Sequence, residues 1–191
     1  MMEFMRSVHR NTLVADGYEV RRMTRTPNYE KERVRQIYRP MAVAGTLRIQ
    51  VGGPPSNKTM ATHRDSSSVD SSAYYERVLR EKDEIDTYGV NVLTADSLVV
   101  KTEGAYKLVW FDNYLYITYK KEREDPMYLA FYGERRSPAW QGSHIWLSNG
   151  NPVVIDENGS YSPPQEVFSM SYWGWSEKIA ELLPIDYQPG E

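Results

Sequence analysis

From residue 90 onward the chain alternates short apolar runs with compact turn signals, a pattern that an antiparallel sheet satisfies best. Tyr106 to Phe111 and Tyr114 to Tyr119 flank Asp112-Asn113, a two-residue hairpin signal. His144 to Leu147 and Val153 to Ile155 flank Asn149-Gly150, and Asp156 to Gly159 makes a third turn. Val92, Leu98 to Val100 and Met127 to Tyr132 read as further strands. Side chains alternate across a strand, so His144 and Trp146 share one face while Ile145 and Leu147 share the other. Consecutive hairpins of this kind predict a meander with one packed face and one wet face.

Helices are expected on either side. Ser72 is a candidate N-cap, followed by Tyr75, Val78, Leu79 and Ile85 at helical spacing, with Gly89 as the stop; this predicts a helix near 72–87. Asn28 can cap a helix over 29–38, with Glu30 and Glu32 in its first turn, Val34, Ile37 and Tyr38 on one face and Pro40 as the stop. Ser176 opens a last helix, near 176–183, before Pro184. Tyr18 to Thr24 suggests a short edge strand, and Leu47, Ile49 and Val51 alternate as a second. Residues 52–68 are rich in Gly, Pro, Ser and Asn and read as a loop or linker. The fold class is therefore α+β: an antiparallel β-meander sheet with two or three short helices and an extended basic N-terminal segment.

Charge divides the chain at that linker. Residues 1–69 carry 12 Lys or Arg against 6 Asp or Glu, whereas residues 70–191 carry 11 against 20. We read 1–69 as a basic, Arg-rich extension with a short helix and strand, and 70–191 as an aromatic-rich, acidic α+β domain. All five tryptophans lie in the second part.

Composition excludes several classes. There is no cysteine, which removes disulfides, thiolate nucleophiles and Cys-based zinc sites. No stretch approaches the roughly 20 apolar residues of a membrane helix, and the first residues hold no continuous apolar run of a secretory leader. A cytoplasmic protein is the expectation. The three histidines, His9, His63 and His144, show no metal-ligand spacing, and nucleotide-binding glycine motifs are missing. No metal site or cofactor is indicated.

The candidate contact residues are arginines and aromatics. Arg21, Arg22, Arg25 and Arg35 lie in the basic segment, and guanidinium groups suit phosphates and interfacial carboxylates. Arg135 and Arg136 precede a cluster of Trp140, His144 and Trp146, and Trp173 with Trp175 form another. Rings beside arginine can stack on bases or sugars, although core packing explains many such rings. The basic front and acidic rear are complementary, which favours protein contact over nucleic acid. The expectation is a non-enzymatic interaction or assembly protein whose Arg-rich arm meets an acidic protein partner or a neighbouring copy, as in a viral or phage particle. Nucleic-acid binding through Arg and stacked Trp or Tyr is the alternative. A small hydrolase using His144, or the Asp156 and Glu157 carboxylates, ranks last, because no nucleophile–base set stands out in the sequence.

Overall fold

The computed structural model describes residues 1–37 and 66–177. By contacts the chain divides into one compact unit of Met1–Arg25 with Asp86–Glu191 and a second of Thr26–Ile85.

The first unit opens with helix α1, Met2–Arg10. Phe4, Met5 and Val8 fall at i, i+1 and i+4, so they share one face, and all three are buried. Glu3 in the first turn and Arg10 in the last both suit the helix dipole. Asn11 ends the helix in the left-handed conformation, φ 59°, and the Thr12 N–H returns to the Ser7 carbonyl at 2.9 Å. The strands that follow are β1 (Tyr18–Pro27), β2 (Glu84–Leu93), β3 (Val99–Glu103), β4 (Tyr106–Val109), β5 (Tyr114–Arg123), β6 (Trp140–Leu147), β7 (Val153–Ile155), β8 (Tyr161–Ser162) and β9 (Val167–Ser171).

These strands build two sheets, in the orders β2-β1-β5-β6-β9 and β3-β4-β7-β8, and every strand register described is antiparallel. The α+β class with antiparallel sheets holds. The meander is split, because Asp112-Asn113 and Asn149-Gly150 carry the chain from one sheet to the other instead of closing hairpins. Asn113, φ 56°, and Gly150, φ 70°, still supply the left-handed residues such turns need. Of the three expected turns, the one after Ile155 closes a hairpin, with Val154 opposite Ser162. Strand β1 lies between β2 and β5, inside its sheet instead of at the edge.

One core serves both sheets. It takes Phe4, Met5 and Val8 from α1, Val20 from β1, Leu115 and Ile117 from β5, Ile145 and Leu147 from β6, and Val153 and Ile155 from β7. Phe4 lies between Tyr18 and Trp173, at ring-centroid distances of 5.4 and 5.6 Å. Burying each such side chain stabilises the fold by about 1.5–3 kcal/mol. The first ten residues are therefore core-forming as well as basic. Gly159 ties the β7–β8 hairpin to α1. Its φ is +78°, and a Cβ there would stand 2.3 Å from the Met2 carbonyl oxygen. The Arg6 Nε donates to the neighbouring Asn158 carbonyl at 2.7 Å.

Two segments depart from the sequence reading. Met127 to Tyr132 is not a strand: α4 spans Pro126–Phe131, with Pro126 at a first-turn position and the Asp125 carboxylate accepting the Met127 N–H at 2.7 Å. Beyond β9 a one-turn helix, α5, covers Tyr172–Ser176, so Ser176 ends a helix instead of opening the expected one; residues 178–183 of the expected terminal helix lie outside the described residues.

In the second unit, helix α2 covers residues 29–37, and α3 spans Ser66–Arg80. Asn28 caps α2 as expected, its Oδ1 accepting the Lys31 N–H at 3.0 Å. Its Nδ2 donates to Glu81 Oε2 and to the Lys82 carbonyl, both at 3.2 Å, so this buried amide is well satisfied. The expected helix over 72–87 ends earlier, and Ile85 and Gly89 belong to β2. The alternating residues 47–51, Tyr38, and residues 52–65 of the expected linker lie outside the described residues.

Among the described residues no helix is long and apolar enough to cross a membrane.

Candidate functional site

The five-stranded sheet turns one face to the core and presents a second face lined with aromatic rings. Strand alternation makes it. Leu115, Ile117, Ile145 and Leu147 point into the core, which sends Tyr114, Tyr116, His144 and Trp146 the other way. Register then aligns two rows across the sheet. Met23, Tyr114, Trp146 and Phe168 form one; Arg21, Tyr116, His144 and Met170 form the next. Trp146 stacks on Phe168 with centroids 5.5 Å apart and lies 5.6 Å from Tyr114. Tyr88 on β2 meets Tyr116 edge-on at 5.0 Å. Phe168 remains 46% exposed and Tyr88 45%, whereas His144 is buried.

Arg25 and Asp86 form an ion pair on this face. Arg25 Nε and Nη2 reach the two Asp86 carboxylate oxygens at 2.6 and 3.0 Å, a two-pronged pair. The guanidinium carbon also lies 5.2 Å from the Tyr114 ring centroid, a cation–π distance. Burial, with the nearby Asp86 charge, raises the Tyr88 hydroxyl above the usual tyrosine range.

His144 holds the most specific geometry. Its Nδ1 lies 2.9 Å from the Ser171 Oγ, its Nε2 lies 3.5 Å from the Tyr88 hydroxyl, and its ring sits 4.9 Å from that of Tyr116. Ser171 ends β9, immediately before α5, with φ 68° and ψ −130°. That backbone region costs a non-glycine residue of order 1–3 kcal/mol and persists only where neighbours impose it. Here the neighbours are identifiable: Tyr172 and Trp173 are buried in the core, and the Trp173 N–H donates to the buried Ser143 Oγ at 3.0 Å.

The arginines expected to meet a partner are engaged within the chain. Arg21 Nε pairs with Glu19 at 2.7 Å, and its Nη1 donates to the Val90 carbonyl at 2.6 Å. Arg22 pairs with Asp112 at 3.0 Å, and in the second unit Arg35 pairs with Asp83 at 2.7 Å. Arg136 grips the buried Glu124 with Nη1 at 2.5 Å and Nη2 at 3.0 Å and also pairs with Glu134; Arg135 is exposed. The Arg136 hydrogen bonds hold the Glu124 carboxyl below the usual glutamate range against the opposing effect of burial, with help from the Ala139 N–H.

The predicted aromatics divide. Trp146 joins His144 on the outer face. Trp140 carries the Arg123 guanidinium over its ring at 3.5 Å, Trp173 is core, and Trp175 packs against the core beside Tyr128. Asp156 is a turn residue, its Oδ1 accepting the Asn158 and Ser160 N–H groups, each at 2.9 Å; Glu157 is exposed. Among the described residues no group of three or more His, Asp or Glu side chains is placed to hold a metal ion.

Of the predicted contact residues the structure therefore brings Arg21, Arg25, His144 and Trp146 onto one face. Sequence reasoning missed Tyr88, Tyr114, Tyr116, Phe168 and Ser171 as members of it. Alternation in 114–119 contained the signal for Tyr114, but Ser171 had none, since it lies in no known nucleophile motif. No family model matches the chain, and comparison with curated proteins and with solved structures returns no significant similarity.

Proposed function

We propose that this is an interaction and assembly protein that self-associates through the edge of its five-stranded sheet. A second copy adds its own β2 antiparallel to the first. One observation carries the reading: β2 runs for ten residues as the outer strand of the sheet, and Val90 at its middle is 87% exposed. Proteins usually blunt a long edge strand with proline, lysine or a bulge, because unpaired N–H and C=O groups recruit other strands. Asp86 to Leu93 contains no proline and no basic residue, and Tyr88, Val92 and Val90 are all exposed. Asp86, the one carboxylate in that stretch, is compensated by Arg25 and does not repel a neighbouring copy. Two-fold pairing would supply main-chain hydrogen bonds and continue the aromatic face across both copies.

This reading keeps the assembly expectation and moves the contact from the basic segment to the sheet edge. The pairing of Arg21, Arg22, Arg25 and Arg35 with carboxylates of their own chain favours that move. The same pairing leaves the nucleic-acid reading with less support, since phosphate contacts through Arg21, Arg22, Arg25 or Arg35 would first require an internal ion pair to break. Static light scattering on the parent and on Val90→Lys tests the proposal. A dimer mass for the parent and a monomer mass for the variant are expected; a parent that is monomeric up to high micromolar concentration overturns it.

A further inference from the structure

Beyond association, we propose that Ser171 is a nucleophile activated by His144, giving the aromatic face an acyl-transfer activity toward small aryl or alkyl esters. The Oγ–Nδ1 distance of 2.9 Å is within the range of a serine–histidine catalytic pair. The hydrogen-bond chain is compatible with a proton arrangement that serves catalysis. A neutral imidazole has one donor and one acceptor nitrogen. In the tautomer that donates from Nε2 to the Tyr88 hydroxyl, Nδ1 is the acceptor of the serine proton. Tyr88 thus occupies the place of the third, orienting group in a triad, and is a positioning residue.

The backbone gives an independent reason. Nucleophilic serines are commonly presented on a strained strand-to-helix turn that holds the hydroxyl away from the sheet. Ser171 sits at such a junction, between β9 and α5, in a positive-φ conformation held by the burial of Tyr172 and Trp173 that follow it. It is half-buried, while Phe168 and Tyr88 on the same sheet face are exposed enough to receive an apolar acyl or aryl group.

The reaction balances with water as the only co-substrate. Ser171 Oγ bonds to the ester carbonyl carbon while its proton passes to His144 Nδ1. The carbon–oxygen bond to the leaving group then breaks, and the alcohol departs with that proton, leaving an acyl-serine. Water attacks the acyl carbon, giving its proton to Nδ1; the acyl–Oγ bond breaks and the proton returns to Oγ as the acid leaves.

A fluorophosphonate probe tests the pair on the full chain, because Oγ forms the bond to phosphorus as fluoride leaves. Peptide mass mapping should place the adduct on Ser171, and Ser171→Ala should abolish it. His144→Gln, which keeps a hydrogen-bonding side chain but no base, should label about 100-fold or more slowly. Hydrolysis of p-nitrophenyl acetate should fall in parallel. A folded parent protein with no adduct on Ser171 overturns the inference. So does a folded His144→Gln variant that labels at the parent rate. Neither result depends on whether the chain dimerises.

Discussion

Truncating Phe4 to alanine distinguishes an N-terminal segment that is core from one that is a basic arm. Phe4 is 1% exposed and contacts the rings of Tyr18 and Trp173 from inside the shared core. Phe→Ala at a buried site costs about 3–5 kcal/mol, combining lost transfer free energy with the cavity left behind. Two edge or tilted ring contacts, each worth about 0.5–1.5 kcal/mol beyond burial, place Phe4 in the upper half of that range. A loss of this size is a large fraction of the 5–15 kcal/mol typical of a domain. Urea unfolding followed by tryptophan fluorescence measures it directly, since Trp173 is one of the contacts. The midpoint should fall by more than 1 M, taking an m-value of about 2 kcal/mol/M. A change below about 1 kcal/mol would refute the placement of α1 in the core, as would a Δ1–10 variant that unfolds at the parent midpoint.

Other outcomes follow from the same contacts. Gly159→Ala should destabilise by about 2 kcal/mol or more, because the added Cβ meets backbone instead of a yielding side chain and the φ is positive; thermal unfolding reads this. Asn28→Ala should cost about 1–2 kcal/mol by removing the cap of α2 and the partner of Glu81 and Lys82, measured by the loss of helical circular dichroism with urea. The folded Glu124 pKa lies below its unfolded value, so its contribution is fully present above the unfolded pKa and disappears as pH falls through the folded one. Glu124→Gln should therefore be less stable than the parent at pH 7 and approach it toward pH 3, as followed by urea midpoints across pH.

How much of this was legible depends on whether local patterning or tertiary pairing made the decision. Alternation in 144–147 correctly grouped His144 with Trp146 and Ile145 with Leu147, because a strand's period holds regardless of its neighbours. The cap at Asn28 was readable for the same reason. Strand partners were not. Asp112-Asn113 has the chemistry of a hairpin turn, yet β4 and β5 satisfy their edges in different sheets, a choice made by long-range pairing. The contiguous run Met127-Tyr128-Leu129 fits a strand or a helix equally well, and the Asp125-Pro126 start signal should have settled it. Helix α1 was hidden by its arginines, although Phe4, Met5 and Val8 already carried helical spacing. Of the site, Trp146 and His144 on one face were legible from strand alternation. The meeting of His144 with Ser171 and Tyr88, 27 and 56 residues away, was not, since it depends on β9 and β2 lying in the same sheet as β6.

Amide hydrogen exchange on β2 as a function of protein concentration tests the assembly claim most directly. If copies join edge to edge, amides within Asp86–Leu93 should gain protection as concentration rises, while β5 and β6, interior to the sheet, stay constant. Exchange in β2 that is fast and independent of concentration would contradict the account.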